Sequence, residues 1–144
     1  MMKNILIYLL PLFLLFSASC LKTQNAASNP SQYPSGSYTG TFYRIHRSLL
    51  TNATDTLKAN LILTLNPTTG FTITGDTTTV HAGSTGAYAF TATYAQFADI
   101  TYPKMGVLKK VHLEGTYLYS YDGTNLALEQ QNDTLTYLYN FKSN

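Results

Sequence analysis

The chain has 144 residues, enough for one domain with short extensions. Only 11% of residues are charged, the net charge is +2 and the basic residues are scattered apart from Lys109-Lys110, so nothing points to a nucleic-acid partner. The single cysteine, Cys20, excludes an internal disulfide, and a composition of 12 Tyr, 7 Phe and no Trp with abundant Thr suits an all-β domain.

The first segment reads as an address. Met1 to Asn4 carries one Lys, Ile5 to Phe16 is an uncharged and mostly apolar run, and Ser17-Ala18-Ser19 are small. This is the order of a secretory signal, expected over residues 1–19. Twelve residues rise only about 18 Å as a helix, well short of a hydrocarbon core of about 30 Å. Ser17-Ala18-Ser19-Cys20 resembles the bacterial lipobox. The resemblance implies cleavage before Cys20, a diacylglycerol thioether on its sulfur and acylation of the new amino terminus. Several acyl chains together hold a protein firmly at a membrane. By the same resemblance, Leu21 in place of Asp implies the outer membrane. The lack of any acid in residues 21–35 implies an orientation toward the periplasm.

Cys20 and the polar stretch to Ser35, with Pro30 and Pro34, form an expected anchor and linker over residues 20–35. Alternation dominates beyond it, and residues 36–144 are the expected folded domain. A first strand is expected at 37–47, with Tyr38 and Phe42 on one face and Tyr43 and Ile45 on the other. In 57–66 the residues Leu57, Ala59, Leu61, Leu63 and Leu65 share a face, and Asn66 to Gly70 has turn chemistry before Phe71 and Ile73. Residues 77–82 and 87–94 are expected strands separated around Gly83 and Gly86. Residues 95–106 are expected to hold a short strand or helical turn and then a loop.

The pattern is clearer in 111–121, where Val111, Leu113, Tyr117, Tyr119 and Tyr121 alternate with polar residues. Asp122-Gly123 predicts a tight hairpin pairing Tyr119 with Leu126 and Tyr117 with Leu128. A second turn at Gln131-Asn132 would pair Leu126 with Tyr137, and Tyr137, Tyr139 and Phe141 complete the last strand. About eight strands in sequential hairpins imply a small antiparallel up-and-down meander closed into a barrel, with a two-sheet sandwich as the alternative.

Gly36-Ser37-Tyr38-Thr39-Gly40 resembles the Gly-x-Trp opening of lipocalins and other calycins, with Tyr replacing Trp. The resemblance implies a lipocalin-like barrel over residues 36–144 and a ligand at one end of it. The chain departs from the family in having no Trp, no paired cysteines and no helix after the last strand, and it is lean for a roomy cavity.

Chemistry is sparse. Asp76, Asp122 and Asp133 sit in expected turns, and Glu114 and Glu129 fall on the face opposite the tyrosines, where solvation is expected. His46, His81 and His112 show no metal-binding spacing, and no nucleophile elbow or phosphate loop occurs. The expectation is a protein without catalytic residues, metal or cofactor. Tyr38, Tyr88, Tyr94, Tyr117, Tyr119, Tyr121, Tyr137 and Tyr139 all fall on expected apolar parities. Eight such rings suffice to fill a small barrel, and the alternative is that they line the mouth of a pocket. Two functions follow as expectations. One is non-catalytic binding of a small apolar or amphipathic ligand at a Tyr-lined end. The other is a filled barrel that binds or inhibits an envelope protein.

Overall fold

A computed structural model describes residues 33–144. The expectations for residues 1–32, including the signal, Cys20 and most of the linker, lie outside the described residues. Eight strands run in chain order: β1 (Gly36–Arg47), β2 (Thr54–Asn66), β3 (Gly70–Gly75), β4 (Ser84–Phe90), β5 (Tyr94–Asp99), β6 (Gly115–Tyr121), β7 (Asn125–Gln131) and β8 (Leu135–Ser143). Each pairs antiparallel with the next, and β8 returns to pair with β1 from Tyr38↔Ser143 to His46↔Leu135. The result is a closed up-and-down barrel, consistent with a lipocalin-like architecture, and the sandwich alternative is excluded. Closure leaves no strand edge unpaired, which is how a meander of Tyr- and Thr-rich strands avoids edge-to-edge association.

The alternation read from β2 is observed from Ala59 on, with Ala59, Leu61, Leu63 and Leu65 buried and the residues between them exposed, whereas Leu57, expected on the same face, is 41% exposed near the start of the strand. Hairpin turns are set by side chains. Asn66 Oδ1 accepts the amides of Thr68 and Thr69 at 2.8 and 3.1 Å, and Gly70 follows with φ +90°. Asp122 Oδ1 likewise accepts the amides of Thr124 and Asn125 at 2.9 and 2.6 Å, and Asn132 Oδ1 those of Thr134 and Leu135 at 3.1 and 2.8 Å. These Asx turns satisfy amides that the ladder leaves open.

They also move the register. Asp122 pairs across from Asn125, so Tyr121 faces Leu126 and Tyr119 faces Leu128, two residues from the predicted pairing. The last hairpin shifts by four, with Leu126 facing Phe141 and Gln130 facing Tyr137. Both shifts are even, so the predicted faces of β6, β7 and β8 survive.

Other expectations are corrected. Residues 77–80 are turn rather than strand, because Asp76 accepts the hydroxyls of Thr78 and Thr79 and folds the segment back. His81 alone makes a parallel bridge to Val111. Gly86 lies inside β4, and residues 94–99 form a strand. Val111 to Glu114 precede β6 rather than belong to it.

The connections divide between two ends. The short-turn end has residues 33–35 and the turns 67–69, 91–93 and 122–124. The long-loop end has 48–53, 76–83, 100–114 and 132–134. Between them the barrel is filled by a column of rings. Phe71 meets Phe97 at 5.1 Å, Phe97 meets Tyr117 at 5.9 Å, Tyr117 meets Tyr139 at 5.7 Å, Tyr139 meets Phe42 at 4.7 Å and Phe42 meets His81 at 4.8 Å. Leucines of β2 and β7 surround the column, and Val80, Val111 and Leu113 plug the long-loop end. Small eight-stranded barrels are filled in this way.

Candidate functional site

The eight tyrosines separate into four groups. Tyr38, Tyr117 and Tyr139 are buried in the core. Tyr88, Tyr119 and Tyr121 are half-buried toward the short-turn end, and Tyr137 lies at the long-loop end. Tyr94 does not share their face. Tyr88 pairs with Phe97 across the β4–β5 hairpin, so the inward positions change from even to odd numbers, and Tyr94 is left outside with 49% of its surface exposed.

At the short-turn end the rings converge. Phe90 packs against Tyr119 at 4.9 Å and Tyr88 at 5.6 Å, and Tyr33 stacks on Phe90 at 6.2 Å. The Tyr119 hydroxyl donates to the Thr91 carbonyl at 2.8 Å, and that of Tyr121 donates to the Gly123 carbonyl at 3.0 Å. Tyr38 donates to the Ser35 carbonyl at 3.0 Å and accepts the Ser35 amide at 3.1 Å, with the Tyr121 hydroxyl 3.4 Å away. The Gly-x-Tyr strand opening thus clamps the entering chain through the buried phenol. Burial pushes the phenols of Tyr38, Tyr88 and Tyr119 above their ordinary values, so all three are neutral donors.

An open cleft of about 740 Å³ lies beside these rings. Its walls are Tyr33 and Pro34, the turn at Pro67, and the β4 residues Tyr88 and Phe90, with Ile100 at its rim. Aromatic and apolar side chains share the wall with Ser35, Asn66, Thr68, Thr69 and Thr85, a mixed lining that suits an amphipathic small molecule.

The long-loop end is polar. Asp99 ends β5 buried, and His112 Nδ1 lies 2.7 Å from its Oδ2. Burial raises the Asp99 carboxyl, but bonds from Thr101, His112 and Ser84 outweigh burial and hold it below its ordinary value. Glu114 accepts the Asp99 amide, so it is tied to the scaffold rather than solvated as expected. His81, fully buried, sits with Nδ1 2.5 Å from the Ala82 carbonyl and Nε2 2.9 Å from the Tyr139 hydroxyl.

A second cavity, of about 310 Å³, opens among Arg44, Tyr102, Lys109, Lys110, His112 and Tyr137. Sequence alone singles out none of Arg44, Asp99 and His112 as a site residue. Arg44 continues the inward parity of Tyr38 and Phe42, and Asp99 ends a segment whose pattern fits a short strand or a helical turn. The alternation of 111–121 puts His112 on a strand that in the structure begins only at Gly115. Among the described residues, no group of three His, Cys, Asp or Glu side chains is arranged to hold a metal ion. No protein-family model, curated protein or solved structure matches the chain.

Proposed function

We propose that the chain is a lipid-anchored lipoprotein of the bacterial envelope, attached to the outer membrane through Cys20 and facing the periplasm. Its lipocalin-like barrel binds a small apolar or amphipathic ligand without converting it. The observation that carries the binding reading is the open cleft walled by Tyr33, Tyr88 and Phe90. The aromatic column occupies the barrel axis, so we assign the ligand to the cleft and not to the lumen. The anchor rests on the residues that resemble a lipobox.

The test is titration of the full chain in a non-ionic detergent with a fluorescent fatty-acid analogue. Phe90→Ala is expected to weaken binding at least about tenfold, which corresponds to about 1.4 kcal/mol, while Tyr94→Ala on the outer face leaves it unchanged. Equal binding by wild type and Phe90→Ala, or no binding by either, removes the reading. The mass of the membrane-extracted protein tests the anchor separately, since it must begin at Cys20 and carry acyl chains.

A second reading, an interaction lipoprotein, is favoured by one observation. Leu50, on loop 48–53, and Met105 and Val107, on loop 100–114, are 96%, 91% and 93% exposed at the long-loop end. Apolar side chains held in water at loop tips suit a protein partner. If this reading is correct, changing these three to Ser abolishes crosslinking to an envelope protein without changing fatty-acid binding.

A further inference from the structure

The long-loop cavity carries an inference that does not depend on the apolar cleft. Arg44 lies one inward step beyond Phe42, half-buried, and faces Tyr137 across the β1–β8 seam. A guanidinium is charged at every physiological pH and gains from an acidic partner where it is drawn out of water. Among the described residues Arg44 has none. The one ion pair among the described residues is His112 with Asp99.

The nearby acids are already committed. Asp99 Oδ1 accepts the Thr85 amide at 3.2 Å, the Thr101 amide at 2.8 Å and the Thr101 hydroxyl at 2.5 Å, and its Oδ2 faces His112. Glu114 accepts the Asp99 amide. The scaffold ties both carboxylates to its own donors, and the three cations, Arg44, Lys109 and Lys110, face the cavity without a paired acid among the described residues. Lys109 and Lys110 reach the same space from the long loop, and the Lys110 ammonium, donating to the Thr77 carbonyl at 2.8 Å, is held in place with donors to spare. Arg44 is near enough to Tyr137 to work against the rise that burial imposes on that phenol.

We propose that the cavity framed by Arg44, Lys109, Lys110, Tyr102 and Tyr137 binds a small oxyanion, a carboxylate or phosphate group carried on a polar ligand. Arg44 supplies a planar fork that meets two oxygens at once, the lysines supply charge, and the two phenols supply neutral donors. Arg44, Lys109 and Lys110 outnumber the two carboxylates nearby, Glu114 on the wall and Asp99 behind His112, so the site is net positive. A volume of about 310 Å³ suits a ligand near the size of one sugar ring.

The experiment uses the full chain in a non-ionic detergent at low salt, following the Arg44 side-chain Nε–H resonance by nuclear magnetic resonance. Inorganic phosphate and glucuronate are the two titrants. A saturable shift is expected with one or both, and the tighter titrant identifies phosphate or sugar carboxylate as the anion. Arg44→Gln, followed through the Lys110 and His112 amides, is expected to weaken binding at least about tenfold, and Arg44→Lys less so, since charge remains but the fork is lost. Lys142→Gln, on the outer face of β8, should have no effect. If Arg44→Gln fails to fold, the double variant Lys109→Gln, Lys110→Gln is read in the same way. No saturable shift with either titrant, or equal weakening by Lys142→Gln and the pocket variants, overturns the proposal.

Discussion

His81 Nε2 lies 2.9 Å from the Tyr139 hydroxyl, the one polar contact set into the aromatic column of the barrel. With Nδ1 donating to the Ala82 carbonyl, the Nε2 of a neutral imidazole is the acceptor and Tyr139 the donor, and burial, rather than the lack of a partner, disfavours the imidazolium. Burial is the main cause that lowers the His81 pKa from 6.5 to about 4.

This predicts a barrel that weakens in mild acid. Between about pH 6.5 and 4 the unfolded chain binds a proton at His81 that the folded chain refuses, so stability falls as pH falls through that window. The depression corresponds to roughly 3 kcal/mol once the imidazole is protonated in both states. Asp99, held below its ordinary value, acts in the same direction at lower pH. His81→Gln keeps an acceptor for Tyr139 and cannot titrate. Its urea-unfolding free energy should be flatter than wild type from pH 6.5 to 4, and an unchanged slope would remove His81 as the cause.

Two neighbouring phenols should respond oppositely to loss of the hydroxyl. Tyr117 is buried, and its hydroxyl, beside the Tyr139 hydroxyl and the Glu114 backbone, falls outside good hydrogen-bond geometry; burial pushes its phenol up more than those two neighbours lower it. Tyr117→Phe removes a poorly satisfied group and is expected to be neutral or to stabilise by about 1 kcal/mol. Tyr139→Phe instead orphans His81 Nε2 and is expected to cost about 1–3 kcal/mol. Thermal unfolding of the two variants side by side decides this, and a larger loss for Tyr117→Phe would contradict it.

The β1–β8 seam depends on Gly40. A Cβ there would lie 1.9 Å from the Asn140 carbonyl oxygen and 2.7 Å from the Phe141 Cα, both backbone, so only opening the seam relieves the clash. Gly40→Ala is expected to cost about 3 kcal/mol or more, the upper range for overpacking. Gly123 is the control. Its φ is +96° with open space around it, so Gly123→Ala should cost only about 1–2 kcal/mol of backbone strain. Equal losses at the two positions would mean that the close approach at Gly40 does not limit the seam.

Faces were legible in the sequence and registers were not. Leu61, Leu63 and Leu65, or Tyr117 and Tyr119, announce which side is buried because the side-chain period in a strand is two. The pairing depends on which residue begins the turn. The Asp122-Gly123 pair drew the predicted loop one residue early, since its effect comes from Asp122 capping Thr124 and Asn125 rather than from Asp122 occupying the loop. Tyr94 was misplaced for the same reason, a parity change at the turn before it. The polar long-loop site was not legible, since the parity that points Arg44 inward does not mark it as a site. The alternation of 111–121 implies a strand through His112 and Glu114, whereas both precede β6 and reach Asp99 through tertiary placement.

The turn-setting role of Asn66 and Asn132 gives the last prediction. Each side chain satisfies two backbone amides, one pair at the short-turn end and the other at the long-loop end. Removing a cap exposes those amides to water rather than burying them, so the loss is that of modest net hydrogen bonds, about 1 kcal/mol for Asn66→Ala and the same for Asn132→Ala. The turns share no partner and lie at opposite ends of the barrel, so the double variant should lose the sum of the single losses to within about 0.5 kcal/mol. Chemical denaturation of the four proteins closes the cycle. A double variant that loses much more than the sum would mean that the two turns hold one register jointly. That outcome would make the shift at the last hairpin a property of the closed barrel and not of Asn132.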